Sequence, residues 1–280
     1  MKPMKRMLNL GDIRARIVAE NTPEVLEIIS LAYGRFLSRA RTCSWDITVS
    51  KKKGSFRIRD ETFSEYRVEE PEQAWLALDQ MLRAKFIHQE KERKFLFHAG
   101  VVARKGRGAI LLLGASGSGK SSVVSALVAQ GWRFLTDELV QVTEEGRAVA
   151  FPRLPEVGPQ MAARLTGRWS CLEHVYSRGE PSGFIRLPRD LVAAPGNGDR
   201  VRALVFLDRH KKPVRPALSR VAGGQAVMDT IRNSFNCYRF GPEGVEFAAD
   251  IVQRCRAYRL KYHDVITQGP AISKKLRQLL

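Results

Sequence analysis

The sequence contains no uninterrupted apolar stretch close to the ~18 residues that a membrane-spanning helix requires, so no span is expected. Cysteine is scarce. The four residues, Cys43, Cys171, Cys237 and Cys255, lie far apart and form no C-x-x-C pair. That spacing suggests neither a zinc cluster nor a disulfide framework, and leaves buried or incidental thiols. The basic start, MKPMKRMLNL, is not followed by the apolar run of a signal peptide, and a cytoplasmic protein is expected. Acidic residues are few beside basic ones, 29 against 47, which gives a formal charge of +18. No helix-turn-helix, zinc-finger or RNP-type aromatic motif accompanies this excess, so specific nucleic-acid binding is not expected. Internal repeats and low-complexity tracts are also missing.

What remains is an ordinary globular composition, 44% hydrophobic and 27% charged over 280 residues. The charge is uneven. Residues 1–92 hold 17 basic and 14 acidic residues, whereas 93–280 hold 30 and 15. A field of this sign attracts polyphosphates and acidic partners. The alternative is a solvated basic surface.

The first 92 residues read as a small α+β region that packs or recognises a substrate. Thr22-Pro23 is a helix start with Thr as N-cap and Pro at the first position. Val25, Leu26, Ile28, Ile29, Ala32, Tyr33 and Phe36 then form a helical stripe. Strands are expected at 45–49, 55–59 and 65–68, and Pro71 opens a second helix marked by Trp75, Leu78, Leu82 and Phe86. The polar run Gln89–Lys94 is the expected boundary, which leaves 93–280 as a second domain.

That domain opens with an apolar segment, Phe95–Val102, a turn at Lys105–Gly108, and the run Ala109–Leu113, together a hairpin. The last run suits a strand buried on both faces. Helix 121–130 ends at Gly131. Strands follow at 132–136, 139–143, 147–151 and 201–207, helices near 225–235 and 242–255, and a last strand at 257–262. Segment 152–200, rich in Pro, Gly and Arg, reads as irregular with a mobile loop.

Gly114, Ala115, Ser116, Gly117, Ser118, Gly119, Lys120 and Ser121 fit G-x-x-x-x-G-K-[ST] at every fixed position, with Ser122 next. A buried strand before and a helix after are the context this loop requires. Glycines let backbone N–H groups turn inward around phosphate oxygens, and the helix N-terminus adds partial positive charge. Lys120 is suited to the β- and γ-phosphates and Ser121 to Mg²⁺. The alternative is a glycine-rich turn without ligand.

Asp137-Glu138 follows a short strand. At the carboxyl edge of a parallel sheet the pair would face the phosphates, where a carboxylate holds Mg²⁺ or accepts a hydroxyl proton. A solvated strand end is the other reading. His98 lies in an apolar strand, where a lone histidine is usually a hydrogen-bonded core residue; its neighbour should carry the loop, which makes it a candidate to orient a carboxylate or touch phosphate.

His98-Ala-Gly, the hairpin, GASGSGKSS and then Gly131-Trp-Arg-Phe-Leu-Thr-Asp137-Glu138 resemble the core of the HPr kinase/phosphorylase group. The resemblance is specific from about 95 to 143 and looser to about 265, where Val201–Asp208, Asn233-Ser-Phe-Asn236 and Tyr258–Asp264 also match. It implies an α/β P-loop domain of the phosphoenolpyruvate-carboxykinase type with a mixed sheet. It further implies a phosphotransferase using ATP or GTP with Mg²⁺. Carried over by position, Lys120 holds phosphate, Ser121 binds Mg²⁺, and Asp137 is the base, with His98 supporting it. Glu138 stands where the family has a second aspartate, so Ser121, Asp137 and Glu138 form the implied metal set.

The glycine-rich signature by which such kinases engage HPr has no counterpart in 152–200. The chain is more similar to HPr-kinase-related enzymes found with peptide natural-product genes, some of which phosphorylate the C-terminal serine of a lasso-peptide precursor. A serine hydroxyl on a peptide or protein is the implied acceptor, and the basic excess suits an acidic one. Reverse phosphorolysis and homo-oligomerisation stay open. Ala222-Gly-Gly-Gln225 resembles part of an ABC-ATPase signature, but no aspartate-ending apolar strand follows; Gly223-Gly224 reads as a helix entry. No N-K-x-D motif points to a GTPase switch. A small-metabolite kinase and a non-catalytic nucleotide-binding regulator stand as alternatives. Arg153, Arg178 and Arg186 are candidates to contact phosphate or an acidic acceptor, against the simpler reading of surface charges.

Overall fold

The structure, a computed structural model, describes residues 3–11, 13–62, 65–88, 95–166, 171–177 and 180–280. The chain divides into two compact units, one of Met1–Lys91 with Leu172–Phe184, the other of Glu92–Cys171 with Ile185–Leu280. The expected boundary, Gln89–Lys94, lies outside the described residues. No described helix is long and apolar enough to cross a membrane.

The first unit is built on a five-stranded sheet, with β1 (Met4–Asn9), β2 (Arg14–Glu20), β3 (Trp45–Lys52), β4 (Ser55–Asp60) and β5 (Glu65–Val68) in sequential order. β2 and β3 are parallel, joined through α1 (Pro23–Ala32), and the other pairs are antiparallel. Alternate residues Ala15, Ile17, Ala19, Ile47, Val49, Phe56 and Ile58 are buried, as period-two strands with one covered face require. α2 (Pro71–His88) buries Trp75, Leu78 and Leu82. Its Asp79 is buried too, and is satisfied by the Tyr33 hydroxyl at 2.8 Å and Arg83 at 3.0 Å. Thr22 precedes α1 without capping it; its hydroxyl donates to the Val49 carbonyl at 3.2 Å. β1 and β2 are additions to the three strands expected.

In the second unit β6 (Phe95–Arg104), β7 (Gly108–Leu113), β8 (Arg133–Thr136), β9 (Leu139–Val142) and β10 (Arg147–Val149) enter a mixed sheet. Its order is completed by β14 (Gly198–Arg209), β15 (Ala217–Arg220) and β16 (Arg256–Tyr262). β7, β14 and β16 run parallel, while β6 is antiparallel to β7, β8 and β9. One core lies on the face covered by α3 (Lys120–Ala129), α4 (Pro159–Thr166) and α7 (Val265–Arg277). The other lies against α5 (Gly223–Arg232) and α6 (Pro242–Arg254). β7 feeds both: Ile110 and Leu112 face one core, Ala109, Leu111 and Leu113 the other. The run 109–113 is therefore covered on both faces, as its unbroken apolar character predicts.

Segment 152–200 is more regular than its composition suggests. It holds β11 (Glu156–Val157), α4, and β12 (Cys171–Ser177) paired with β13 (Glu180–Ile185). Phe184 meets Trp75 edge-on within the first unit, with ring centroids 5.5 Å apart.

Candidate functional site

β7 ends at Leu113 and the loop 114–119 turns the chain into α3. The turn needs glycine at two points, because Gly117 and Gly119 have φ of +81° and +86°. Gly119 is also crowded: an added Cβ would come within 2.6 Å of the Tyr262 hydroxyl, which donates to the Ser118 carbonyl. Burial pushes that phenol up to about 12, so it remains a donor. Ala115, Ser116 and Gly117 are exposed, whereas Lys120 is buried and donates to the carbonyls of Gly114 at 2.7 Å and Ala115 at 3.3 Å. Ser121 and Ser122 occupy the first turn of α3 and are half-buried.

The acidic pair reaches this loop by a route other than the parallel edge expected. β8 and β7 point the same way but are not neighbours; antiparallel β6 lies between them. β8 pairs with β6 as far as Val101↔Thr136, and β9 resumes pairing at His98↔Leu139. Asp137 and Glu138 are the bend between these two strands, opposite Ala99 and Gly100. A start of β6 and the ends of β7 and β8 thus share one sheet edge. Gly100 keeps α3 close, since a Cβ there would meet Val124 at 2.5 Å.

Asp137 is only 2% exposed, and its Oδ1 is buried with no hydrogen-bond partner. Desolvation is the largest influence and pushes its carboxyl up to about 7. The Arg153 charge and the neighbouring Ser121 hydroxyl pull the other way, while Glu138 and Glu156 add repulsion. Arg153 is 4% exposed and reaches Glu156 at 3.4 Å, so its reading as a surface charge is overturned. Arg186 is exposed as that reading has it. Arg178 lies outside the described residues.

His98 meets Glu138, at 3.7 Å from Nε2 to Oε1, rather than Asp137. Its ring stacks on Phe235 with centroids 5.6 Å apart. Any support it gives Asp137 therefore runs through the second acid. Ser121 and Asp137 are the adjacent oxygen donors suited to a small hard cation, and the unpartnered Oδ1 fits one. Among the described residues no group of three or more His, Cys, Asp or Glu gathers as a metal cluster.

Two contributors escape sequence reasoning as site residues. Tyr262 braces the loop from β16, and Asn233 accepts from the Gly114 N–H at 3.0 Å. Both sit within segments that carry the family resemblance, which was the only signal.

No family model matches the sequence, and no curated protein matches it. Among solved structures the chain is similar to the Hpr(Ser) kinase/phosphatase from Coxiella burnetii. The identity is 13% and the TM-score 0.34, over 65% of this chain and 94% of that one. A likeness at that score carries no functional argument, and the site must be judged on its own geometry.

Proposed function

We propose that this chain is a nucleotide-dependent kinase that moves the γ-phosphate of ATP or GTP onto a hydroxyl. The observation that carries the reading is Asp137: a buried carboxylate with one oxygen unpartnered, beside the serine that follows the loop lysine. A carboxyl titrating near 7 is matched to taking a proton from a hydroxyl at neutral pH. A solvated strand end would have neither property.

In this reading the backbone N–H groups of Gly117 and Gly119 and the start of α3 hold the phosphates. Lys120 exchanges loop carbonyls for β- and γ-phosphate oxygens. Ser121, Asp137 and Glu138 would hold Mg²⁺, which neutralises phosphate charge when bound. Asp137 accepts the acceptor's proton as that oxygen bonds to phosphorus; the bond from phosphorus to the bridging oxygen breaks, and its electron pair leaves with the nucleoside diphosphate. Positioning and charge neutralisation supply most of the acceleration.

The acceptor we infer is a serine on a peptide or protein, of which the C-terminal serine of a lasso-peptide precursor is one form. Support comes from the sequence resemblance and from the +15 excess in 93–280, which favours an acidic partner. Incubation with γ-labelled ATP and a serine peptide, its Ser→Ala counterpart, free serine and sugars tests the acceptor. Label confined to the serine peptide is expected. Label on a sugar or free serine would move the reading to a metabolite kinase, and no transfer to any acceptor to a nucleotide-binding regulator.

A further inference from the structure

The β6–β7 ladder stops at Ala99↔Leu113. One more step would set His98 against Gly114, but the strands part there, and Asn233 stands in the gap. Its backbone carbonyl accepts from the His98 N–H at 2.8 Å, and its side-chain Oδ1 accepts from the Gly114 N–H at 3.0 Å. The same amide donates from Nδ2 to the Asp229 carbonyl at 2.8 Å, which fixes the side chain on the end of α5. Asp229 is itself held by Arg259 at 3.1 Å and Gln225 at 2.8 Å.

The residues after Asn233 continue along β6 in place of β7. Phe97 bridges to Ser234, Phe235 donates to the Leu96 carbonyl at 2.7 Å, and the Asn236 side chain accepts from the Leu96 N–H at 2.9 Å. Two neighbours therefore share one side of β6, and they change over where the phosphate loop begins. An amide suits the changeover because one planar group both donates and accepts.

We propose that Asn233 is a positioning residue for the phosphate loop: it wedges β6 from β7 and fixes where Gly114 leaves the sheet relative to His98. This rests on the loop's being a nucleotide site, as proposed above. A peptide N–H left unpaired at this point would let the loop's first residue wander, and a phosphate cradle works only if its N–H groups are pre-aimed.

The test combines amide hydrogen exchange without nucleotide with Mg·ATP titration of the full chain, for wild type, Asn233→Ala, Asn233→Asp and Asn236→Ala. Asn233→Ala should speed exchange at Gly114 and weaken Mg·ATP binding, each roughly tenfold. Asn233→Asp keeps an acceptor for Gly114 but loses the Nδ2 donor and adds a negative charge beside the loop, so Gly114 exchange should stay within about threefold of wild type while Mg·ATP binding weakens. Asn236→Ala removes a bond of the same segment away from the loop and should lower thermal stability with affinity unchanged. Unchanged Gly114 exchange in Asn233→Ala overturns the wedge, as does equal loss of affinity in Asn233→Ala and Asn236→Ala. Should Asn233→Ala not fold, Gly114 exchange sped roughly tenfold in a folded Asn233→Asp, which keeps the acceptor, overturns it instead. A wild type that binds neither Mg·ATP nor Mg·GTP refutes the nucleotide reading, and Gly114 exchange then still decides the wedge.

Discussion

At the scale of single residues, Asp137 makes the strongest demand on the protein. Burial pushes its carboxyl up to about 7 in the fold, against an ordinary 3.8 in the unfolded chain. Between these values the folded chain binds the extra proton, so this group's contribution to stability falls as pH rises from about 4 to about 7. Asp137→Asn removes that dependence. The variant should be more stable than wild type at pH 7 and above, by up to a few kcal/mol without divalent cation, and the gap should close toward pH 4. Chemical denaturation at several pH values measures it; a gap that widens toward pH 4 contradicts the assignment. Lys120, Ser121 and Asp137 were legible in the sequence because motif and spacing mark them. The burial of Arg153 was not, since a lone arginine in a proline-rich segment looks like any surface charge until its neighbours are known.

At the scale of elements, loop and helix depend on a conformation that side chains resist. Gly119→Ala forces a left-handed φ of +86° on alanine and drives its Cβ against the Tyr262 hydroxyl. The backbone penalty alone is about 1–2 kcal/mol. We expect weakened Mg·ATP binding, measurable by titration, that Tyr262→Phe does not restore, because removing the hydroxyl leaves φ unchanged. In the strand that feeds the loop, Leu112→Ala should cost about 2–5 kcal/mol in denaturant unfolding, since its side chain is fully buried. β7 was legible from its unbroken apolar run, and α5 and α6 were expected near their observed positions. β1 and β2 were missed, although Arg14–Glu20 carries period-two alternation: Val18 breaks the polar phase and Ala15 and Ala19 are weak apolar markers, so the buried face of Ala15, Ile17 and Ala19 is clear only in the sheet. The parting of β6 and β7 is illegible for another reason. It depends on a bond between residues 119 apart, and no local pattern encodes it.

At the scale of the whole molecule, two features set expectations. The first unit includes Leu172–Phe184, so a chain cut at residue 92 deprives Trp75 of Phe184. Such a truncation should unfold at lower denaturant than the same transition in the full chain; an unchanged midpoint would show that the segment contributes nothing. The second feature is the concentration of positive charge in 93–280. If it draws an acidic acceptor, the acceptor's KM should rise steeply with salt as screening shortens from about 10 Å at 0.1 M to about 3 Å at 1 M. The charge asymmetry is plain in the sequence, whereas the return of 172–184 to the first unit is a tertiary fact.

The central claim is that Asp137 accepts the proton of an acceptor hydroxyl beside a phosphate loop. Single-turnover transfer from γ-labelled Mg·ATP to a serine peptide, run on wild type and Asp137→Asn at equal nucleotide occupancy, tests it most directly. With Asp137 as the base, the rate falls by roughly 10²–10⁴ in the variant. Equal rates at equal occupancy would contradict it.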